Sequence, residues 1–545
     1  DLGGAGARAG GAGSSGGEEG EGSGSEAEGA PMLGAAARRG GGAGRSGGGG
    51  GEVEAFRIEV AEARPRRRRG ALRFFDVLRA HPSGLWILVP TEVWERFSYY
   101  GMRALLVLYM TNVLFRPGEW QSVWGIGLVT GLFGEPRDDL EPEARAKLVA
   151  SIASSVYGLY TALVYCTPLP GGYLSDQYFG QRRMVVFGGA VMALGHFALA
   201  FHDAFLLGLG LICVGNGCFK PNISTQVGRM YKDGDPMRTQ AFFIFYCGIN
   251  FGAFLSPIVC GELRQEVGYD AGFAAAGVGM LLGLAVYVTG ARLVPPDKPR
   301  LKGAPGSDGS GPRGGGGGGG RAGGSFWEQL KLHRLRVAAI VTIALLTVPF
   351  WGVYELQGNT MALYGQDRVN RVIGSWEMPT EFIQSINPFI IFALTPVVNI
   401  VWAWQRRRGS EPSPSSKMSV GLVLLAAGYF LLSLVTTEEG GRKVSVLWIF
   451  LSTLLWTAGE LYLSPIGLDF ISTYAPKEMT SLLMGFWFLA SFFGNYLSGW
   501  LGSFYPYMPH RAFFSTMAAV ALGAGGVMFL LGNLAMRFLK RDAPK

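Results

Sequence analysis

The sequence predicts an all-α, polytopic membrane protein with about twelve transmembrane helices. Three observations support this class: charged residues are scarce, apolar stretches of membrane-spanning length recur, and basic residues cluster between those stretches. Only 16% of the 545 residues are charged, whereas soluble proteins average about 25%. Hydrophobic residues make up 49% of the chain. This composition disfavours a soluble multidomain enzyme.

The glycines of the chain are concentrated in two segments. The sequence contains 84 glycines, and the excess lies mainly in 1–51 and 303–324. These segments cannot bury a hydrophobic core, so we predict that they are flexible, and their lack of a Gly-X-Y period excludes collagen. The predicted domains are, in order, a cytoplasmic tail over 1–80, a six-helix bundle over 81–295, a Gly-rich cytoplasmic linker over 296–334, a second six-helix bundle over 335–540 and a short cytoplasmic tail over 541–545.

Apolar stretches long enough to cross a bilayer occur in succession along both bundles. We place the spans at roughly 85–113, 149–174, 184–203, 205–227, 240–262, 271–293, 335–361, 379–404, 418–436, 444–468, 480–503 and 511–538. Runs of Lys and Arg fall in alternate loops, as at Arg182 and Arg183 and again from Arg406 to Arg408. This is the positive-inside pattern, so both termini are predicted to be cytoplasmic. The same placement argues against a nucleic-acid interface.

Two six-span halves joined by a linker are typical of a major-facilitator-type transporter. A channel or a polytopic membrane enzyme shares this hydropathy, so residues inside the spans must decide the function. We expect a multi-pass protein that works as a monomer in the plasma membrane or in an endolysosomal or vacuolar membrane. The second location depends on residues 28–33, which resemble an acidic dileucine sorting signal.

Charged residues inside the spans are the strongest functional signal. Each costs at least about 2.5–3.5 kcal/mol at the bilayer centre, so such residues face an interior. Reversible protonation of a carboxylate beside a cation is one use for them; ion pairing that only holds helices together is the alternative. Glu92, Glu95 and Arg96 share one helical face. The other candidates inside spans are Arg103, Lys220, Glu355 and Glu460, together with the uncharged Asn250 and Asn387.

Several motifs, in order along residues 80–540, resemble the proton-dependent oligopeptide transporter (POT/PTR) family. Glu92-x-x-Glu95-Arg96-Phe-x-Tyr99-Tyr100 is similar to the first-helix box of that family. The other matches are Gly171-Gly-Tyr-Leu-Ser-Asp176-Gln-Tyr-Phe-Gly180-Gln-Arg182-Arg183, Lys220-Pro-Asn, Phe245-Tyr246-Cys-Gly-Ile-Asn250-Phe-Gly252, Ser385-Ile-Asn387-Pro, Gly459-Glu460-Leu-Tyr-Leu-Ser464-Pro and Met484-Gly-Phe-Trp487-Phe.

The resemblance implies a symporter that moves di- and tripeptides by alternating access, with protons as the coupling ion and no cofactor. Proton coupling would involve Glu92, Glu95, Arg96, Lys220 and Glu355. Arg96 and Lys220 would bind the peptide carboxylate, and Arg103 would pair with Glu355 as a gate. Glu460, Asn250 and Asn387 would bind the amino end. The substrate cavity would also include Tyr99, Tyr100, Tyr165, Ser464 and Trp487.

Departures from the family pattern limit what the resemblance implies. Animal intestinal members have a histidine in the second helix where this chain has Gly158, so proton coupling would depend on the carboxylates. Nitrate-transporting plant relatives have a histidine in the seventh helix where this chain has Tyr354. The alternative function is transport of free histidine, another amino-acid-like solute or nitrate.

Other classes of function find less support in the sequence. A channel or a peptide receptor would need the same cavity without uphill movement of substrate. The five cysteines lack metal-ligand spacing, so we predict free thiols and no metal site. The sequence has no HExxH motif and no nucleophile setting of the Gly-x-Ser-x-Gly kind. We therefore predict that the protein is not an enzyme.

Overall fold

The structure, a computed structural model, describes residues 78–232, 235–297, 326–437, 443–476 and 479–541. Most of the predicted tail over 1–80 and most of the predicted linker over 296–334 lie outside the described residues. The motif at 28–33 and residues 542–545 lie outside them as well. The described residues belong to one compact unit.

The chain before the linker is helical, with short turns between helices. A π-helical turn, Met110–Leu114, extends the first helix, and another, Ser175–Phe179, follows the fourth. The helices are α1 (Leu85–Tyr109), α2 (Ile126–Phe133), α3 (Pro142–Cys166), α4 (Pro168–Leu174), α5 (Gln181–Ala198), α6 (Phe205–Arg229), α7 (Pro236–Glu266) and α8 (Tyr269–Gly290).

From residue 326 onward, the described residues add ten helices and four short strands, and the first of these helices lies inside the predicted linker over 296–334. Two 3₁₀ turns, Glu355–Gly358 and Thr380–Ser385, lie beside the central helices. The helices are α9 (Phe326–Leu332), α10 (Arg334–Leu345), α11 (Val348–Tyr354), α12 (Thr360–Arg368), α13 (Ile386–Arg407), α14 (Pro414–Val435), α15 (Val446–Tyr474), α16 (Thr480–Ser503), α17 (His510–Val527) and α18 (Asn533–Arg541).

The strands form two small sheets outside the spans. β1 (Val369–Asn370) pairs in parallel with β4 (Val444–Ser445), in the register Val369 to Val444. β2 (Val372–Ile373) and β3 (Trp376–Glu377) form an antiparallel hairpin in the register Val372 to Glu377. Each strand has only two residues, so the fold is all-α in substance.

Among the described residues, ten helical segments are long and apolar enough to cross a membrane. The two other predicted spans are α1 and α5. Helix α1 carries four charged side chains, and α5 begins with Gln181, Arg182 and Arg183. Helix α1 packs against α7 and α8, which places its charges inside the molecule. The all-α, polytopic membrane class is therefore confirmed, and the division into two six-helix bundles stays a prediction.

The helices run between two ends of the molecule, which we call the linker end and the opposite end. At the linker end, Arg182 Nε donates to the carbonyl of Pro295 at 3.0 Å, and Arg229 Nη2 donates to the carbonyl of Pro296 at 2.8 Å. At the opposite end, Asn112 Nδ2 donates to the hydroxyl of Tyr269 at 3.0 Å. The two arginine contacts hold the segment of chain that leads into the linker.

Two glycines allow a close crossing of α3 and α16. A Cβ atom on Gly158 in α3 would lie 2.5 Å from the backbone nitrogen of Gly499 in α16. A Cβ atom on Gly499 would lie 2.7 Å from the Cα of Gly158. Neither position has room for a side chain, and the backbones of α3 and α16 are therefore in direct contact.

Candidate functional site

A cavity of about 260 Å³ lies between helices from before and after the linker. Its walls come from α1, α3 and α7 on one side and from α11, α13, α15 and α16 on the other. The predicted site residues that line it are Tyr100, Arg103, Tyr165, Asn250, Glu355, Asn387, Glu460, Ser464 and Trp487. The chain thus brings together residues that are hundreds of positions apart in sequence.

Glu460 is a carboxylate with hydrogen-bond donors but no cation beside it. The hydroxyl of Tyr354 donates to Glu460 Oε2 at 2.5 Å, and Asn387 Nδ2 lies 3.2 Å from the same oxygen. Asn387 also donates to the hydroxyl of Tyr354 at 2.9 Å. Within the part of the chain that the structure describes, Glu460 has no ion-pair partner. A carboxylate held in this way is suited to binding an ammonium group of a ligand.

Arg103 and Glu355 form an ion pair between α1 and the 3₁₀ turn that follows α11. Arg103 Nε also donates to the hydroxyl of Tyr157 at 2.5 Å. Both charged side chains are largely buried. The structure brings the predicted gate pair into contact, while its gating role stays a prediction.

Glu92, Glu95 and Arg96 form a buried network inside α1. Arg96 Nε lies 3.2 Å from Glu92 Oε1, and Arg96 Nη2 donates to Glu95 Oε1 at 2.7 Å. The second oxygen of Glu92 is buried and has no hydrogen-bond partner among the described residues. The three residues are not part of the cavity wall. The Arg96 guanidinium therefore pairs with both carboxylates in this conformation, while one oxygen of Glu92 is left without a hydrogen-bond partner among the described residues.

Lys220 and Tyr99 also lie outside the cavity wall. The Lys220 ammonium lies 4.9 Å from the centre of the Tyr165 ring, and Tyr165 does line the cavity. Lys220 has no ion-pair partner among the described residues. The Tyr99 ring packs edge-on against Tyr100, with their centres 5.3 Å apart. Each of these two residues therefore contacts the site through a neighbouring tyrosine.

Several residues of the site were missing from the predicted set. Tyr157 holds Arg103, and Tyr354 bridges Asn387 and Glu460. A second buried ion pair joins Arg264 of α7 to Glu381 of the turn before α13, with nitrogen–oxygen distances of 2.8 and 2.7 Å. Tyr354 had the signal of lying directly before the candidate residue Glu355, whereas Tyr157 had none. Arg264 and Glu381 had none, because charges at the ends of spans are ordinary.

Hydrogen bonds between the two parts of the chain concentrate toward the opposite end. Besides the two ion pairs, Asn112 Nδ2 donates to Gln366 Oε1 at 2.9 Å, and Gln265 Nε2 donates to the carbonyl of Glu377 at 3.0 Å. Exposed residues of the cavity wall lie toward the linker end, namely Tyr246, Leu468 and Phe488. The cavity is therefore closed at the opposite end and open at the linker end.

The chain is similar to known transporters along most of its length. The profile of the POT family (PTR2) matches residues 182–307 and 324–517. A peptide transporter of Yersinia enterocolitica is 31% identical over 77% of this chain and 88% of its own length. A di-/tripeptide transporter of Lactococcus lactis is 28% identical over 83% of this chain and 95% of its own length.

Solved structures agree with the sequence comparison. The crystal structure of a peptide transporter POT in complex with sulfate aligns with a TM-score of 0.66 at 28% identity. The alignment covers 84% of this chain and 96% of the other. A family profile that matches more than half of the chain, and a relative above 30% identity over most of it, leave one assignment: this chain is a member of the POT family.

Proposed function

We propose that this protein is a proton-coupled symporter that moves di- and tripeptides across a membrane by alternating access. The observation that carries the proposal is Glu460, a carboxylate without a cation on the wall of a cavity shared by both parts of the chain. The Yersinia and Lactococcus relatives are named as peptide and di-/tripeptide transporters. We extend that substrate class to this chain.

A zwitterionic peptide needs opposite charges at its two ends. Glu460, with Asn387 and Asn250 nearby, would bind the amino end. Lys220 lies behind Tyr165 without a carboxylate partner, so a small movement of Tyr165 would expose its ammonium to the peptide carboxylate. Charged hydrogen bonds of this kind are the strong ones in a desolvated cavity. The aromatic walls then accept varied side chains.

Proton coupling follows from charge balance in the α1 network. Arg96 is shared by Glu92 and Glu95, so a peptide carboxylate that binds Arg96 would displace one of them. A buried carboxylate that loses its cation is stabilised by taking up a proton. Binding of peptide and binding of a proton would therefore favour each other. Glu355 would behave in the same way when its pairing with Arg103 is broken.

The orientation, location and assembly are also proposals. We assign the linker end and both termini to the cytoplasm, because the runs of Lys and Arg lie there. The structure would then be open toward the cytoplasm. The protein would need only protons as coupling ion, would act as a monomer, and would reside in the plasma membrane or an endolysosomal or vacuolar membrane.

The deciding experiment is uptake of labelled Ala-Ala into proteoliposomes that contain the purified chain. We expect uptake to rise when the pH is lower on the side from which peptide is supplied, and to fall when a proton ionophore collapses the gradient. Uptake that is unaffected by both the pH gradient and the ionophore would exclude proton coupling. Uptake of labelled histidine and of labelled nitrate is measured in the same proteoliposomes; gradient-driven uptake of either one, without uptake of Ala-Ala, would favour the alternative substrate class.

A further inference from the structure

Helix α2, in the segment between α1 and α3, is apolar on both of its faces. Ile126, Val129 and Phe133 form an inner face that packs against the hydrophobic core. Leu128 and Leu132 form an outer face and are 68% and 58% exposed. No residue of α2 is charged. Since a helix that is apolar all round is normally buried all round, the outer face of α2 requires a cover other than water.

The chain on either side of α2 is held in place at the opposite end of the molecule. Before α2, the backbone nitrogen of Trp124 donates to the carbonyl of Asp203 at 2.7 Å, in the 3₁₀ turn between α5 and α6. After α2, the carboxylate of Asp138 accepts from the backbone nitrogen of Gly118 at 3.1 Å and from Arg145 of α3 at 2.7 Å. The two ends of the segment are therefore tied together, and the position of α2 is fixed relative to α3 and α6.

The outer face of α2 adjoins a surface that the bilayer covers. The neighbouring spans α5 and α6 expose apolar side chains, among them Leu194 at 63% and Leu207 at 48%. Phe201, which is 67% exposed, comes directly before the turn that holds Trp124. Trp124 is itself 61% exposed, and tryptophan is enriched where a membrane meets water. The apolar surface thus continues from the spans onto α2.

The length and the flanks of α2 favour a position at the membrane surface. Eight residues of helix are about 12 Å long, which is too short to cross a hydrocarbon core of about 30 Å. The residues that follow it include the exposed and charged Glu135, Arg137 and Asp139, which favour water. A second copy of the chain is a poorer cover, because two leucines and a tryptophan supply far less than the roughly 800 Å² per partner of a stable protein interface.

We propose that α2 docks in the membrane leaflet at the opposite end, with Trp124, Leu128 and Leu132 inserted where the lipid headgroups meet the acyl chains. Gly125 and Gly134, at the two ends of α2, have φ values of +83° and +90°. Glycine adopts this left-handed conformation without steric cost, so the chain can turn sharply into the helix and out of it again toward water. The segment between α1 and α3 is then anchored to lipid, whatever substrate the protein carries.

The test is photo-cross-linking of the wild-type, full-length protein in phosphatidylcholine nanodiscs that contain a lipid with a diazirine near the headgroup end of its acyl chain. Mass spectrometry identifies the labelled residues. We expect label on Trp124, Leu128 and Leu132, as on the membrane-facing Leu194 of α5, and none on Glu135. Oxidation by hydroxyl radicals, measured on the same sample, should be strong around Glu135 and weak on the outer face of α2, because only the former is in water.

A variant tests whether the outer face itself causes the docking. Leu128→Asp places a charge on this face without touching the inner face, so Trp124 and Leu132 should lose their lipid label and become open to oxidation. Leu128→Met is the matched control, because it keeps the face apolar, and it should retain the label at both positions. Unchanged labelling of Leu194 in both variants shows that the spans still lie in the bilayer.

Three results would contradict the proposal. Strong oxidation of the outer face in the wild type, without lipid label, would show that α2 points into water. Protection from both lipid and radicals would show that protein covers α2, from a second copy or another partner. Full lipid label at Leu132 in Leu128→Asp would show that α2 lies near lipid without depending on its outer face.

Discussion

Glu460 has a different electrostatic environment from every other intramembrane carboxylate of the predicted site. Glu92 and Glu95 share Arg96, and Glu355 is paired with Arg103. Glu460 has only the neutral donors of Tyr354 and Asn387. A negative charge in a cavity without a compensating cation attracts a cationic ligand group, and the amino end of a peptide supplies one.

Neutralising this carboxylate should remove most of the attraction for the amino end. For Glu460→Gln we expect the affinity for Ala-Ala to fall at least about tenfold, because hydrogen bonds to charged groups contribute about 1.5–3 kcal/mol. N-acetylated Ala-Ala, which has no ammonium, should bind weakly to wild type and variant alike. Competition against labelled dipeptide gives both affinities. A variant with unchanged Ala-Ala affinity would place the amino end elsewhere.

The sequence alone indicated which charged residues would line the cavity, but it did not indicate which of those residues would contact each other. The free-energy cost of charge in a bilayer indicates that Glu355 and Glu460 face an interior, and both line the cavity. The Arg103–Glu355 pair was implied by family resemblance, since helical spacing carries no information about contacts 252 positions apart. Tyr157 had no such signal, because a tyrosine on an apolar face resembles ordinary packing.

At the scale of helices and turns, the spans were easier to predict than their interruptions. The seventh span was predicted as one stretch over 335–361, but the structure divides it into α10, α11, the turn Glu355–Gly358 and α12. The 3₁₀ turn places Glu355 against Arg103. Hydropathy does not predict where this span is divided, because a divided helix and a continuous helix would bury similar apolar residues. The turn depends on contacts with α1 that only the folded chain supplies.

The ion pair between Arg264 and Glu381 connects α7 to the turn before α13. Glu381 is fully buried, so removing only Arg264 would leave an unpaired carboxylate inside the protein, which costs about 3–5 kcal/mol. We therefore expect Arg264→Ala to lower the melting temperature of the purified protein more than the double variant Arg264→Ala with Glu381→Ala does. Thermal unfolding of the wild type, both single variants and the double variant completes the cycle.

One outcome of this cycle would contradict the expected coupling. Destabilisation of the double variant to the sum of the two single effects would show that the residues act independently, against the coupling expected from their contact. Arg137→Ala is a suitable control, because its pair with Asp139 is exposed on both sides. Exposed pairs contribute at most about 1 kcal/mol, so this variant should melt close to the wild type.

At the scale of the whole molecule, ion pairs and hydrogen bonds join the part of the chain before the linker to the part after it. Together they form a closed layer on one side of the cavity. Arg103–Glu355, Arg264–Glu381 and Asn112–Gln366 all lie toward the opposite end. The cavity wall is exposed toward the linker end. Alternating access requires that this layer open while the linker end closes, as expected when one half moves against the other around a fixed site.

Cross-linking at the closed layer should therefore stop transport without preventing peptide binding. Asn112 and Gln366 contact each other across the two parts of the chain, 2.9 Å apart. With cysteines at both positions in a background without the five native cysteines, a short bis-methanethiosulfonate reagent, which joins the two thiols through reducible disulfides, would hold the layer shut. We expect exchange of peptide across the proteoliposome membrane to be lost. The affinity for peptide in detergent should stay within about twofold of that of the protein without the cross-link, because the cavity stays open at the linker end.

The same helix offers a matched control for the cross-link. Asn112 also contacts Tyr269 at 3.0 Å, and α1 and α8 both precede the linker, so this pair should move together. A cross-link between cysteines at 112 and 269 should leave peptide exchange intact, whereas the 112–366 cross-link abolishes it and a reducing agent restores it. If both cross-links abolish exchange, α1 must move against α8, and rigid movement of the two parts of the chain would be wrong. Full exchange with 112 and 366 joined would show that the closed layer does not need to open, which would contradict alternating access around this cavity.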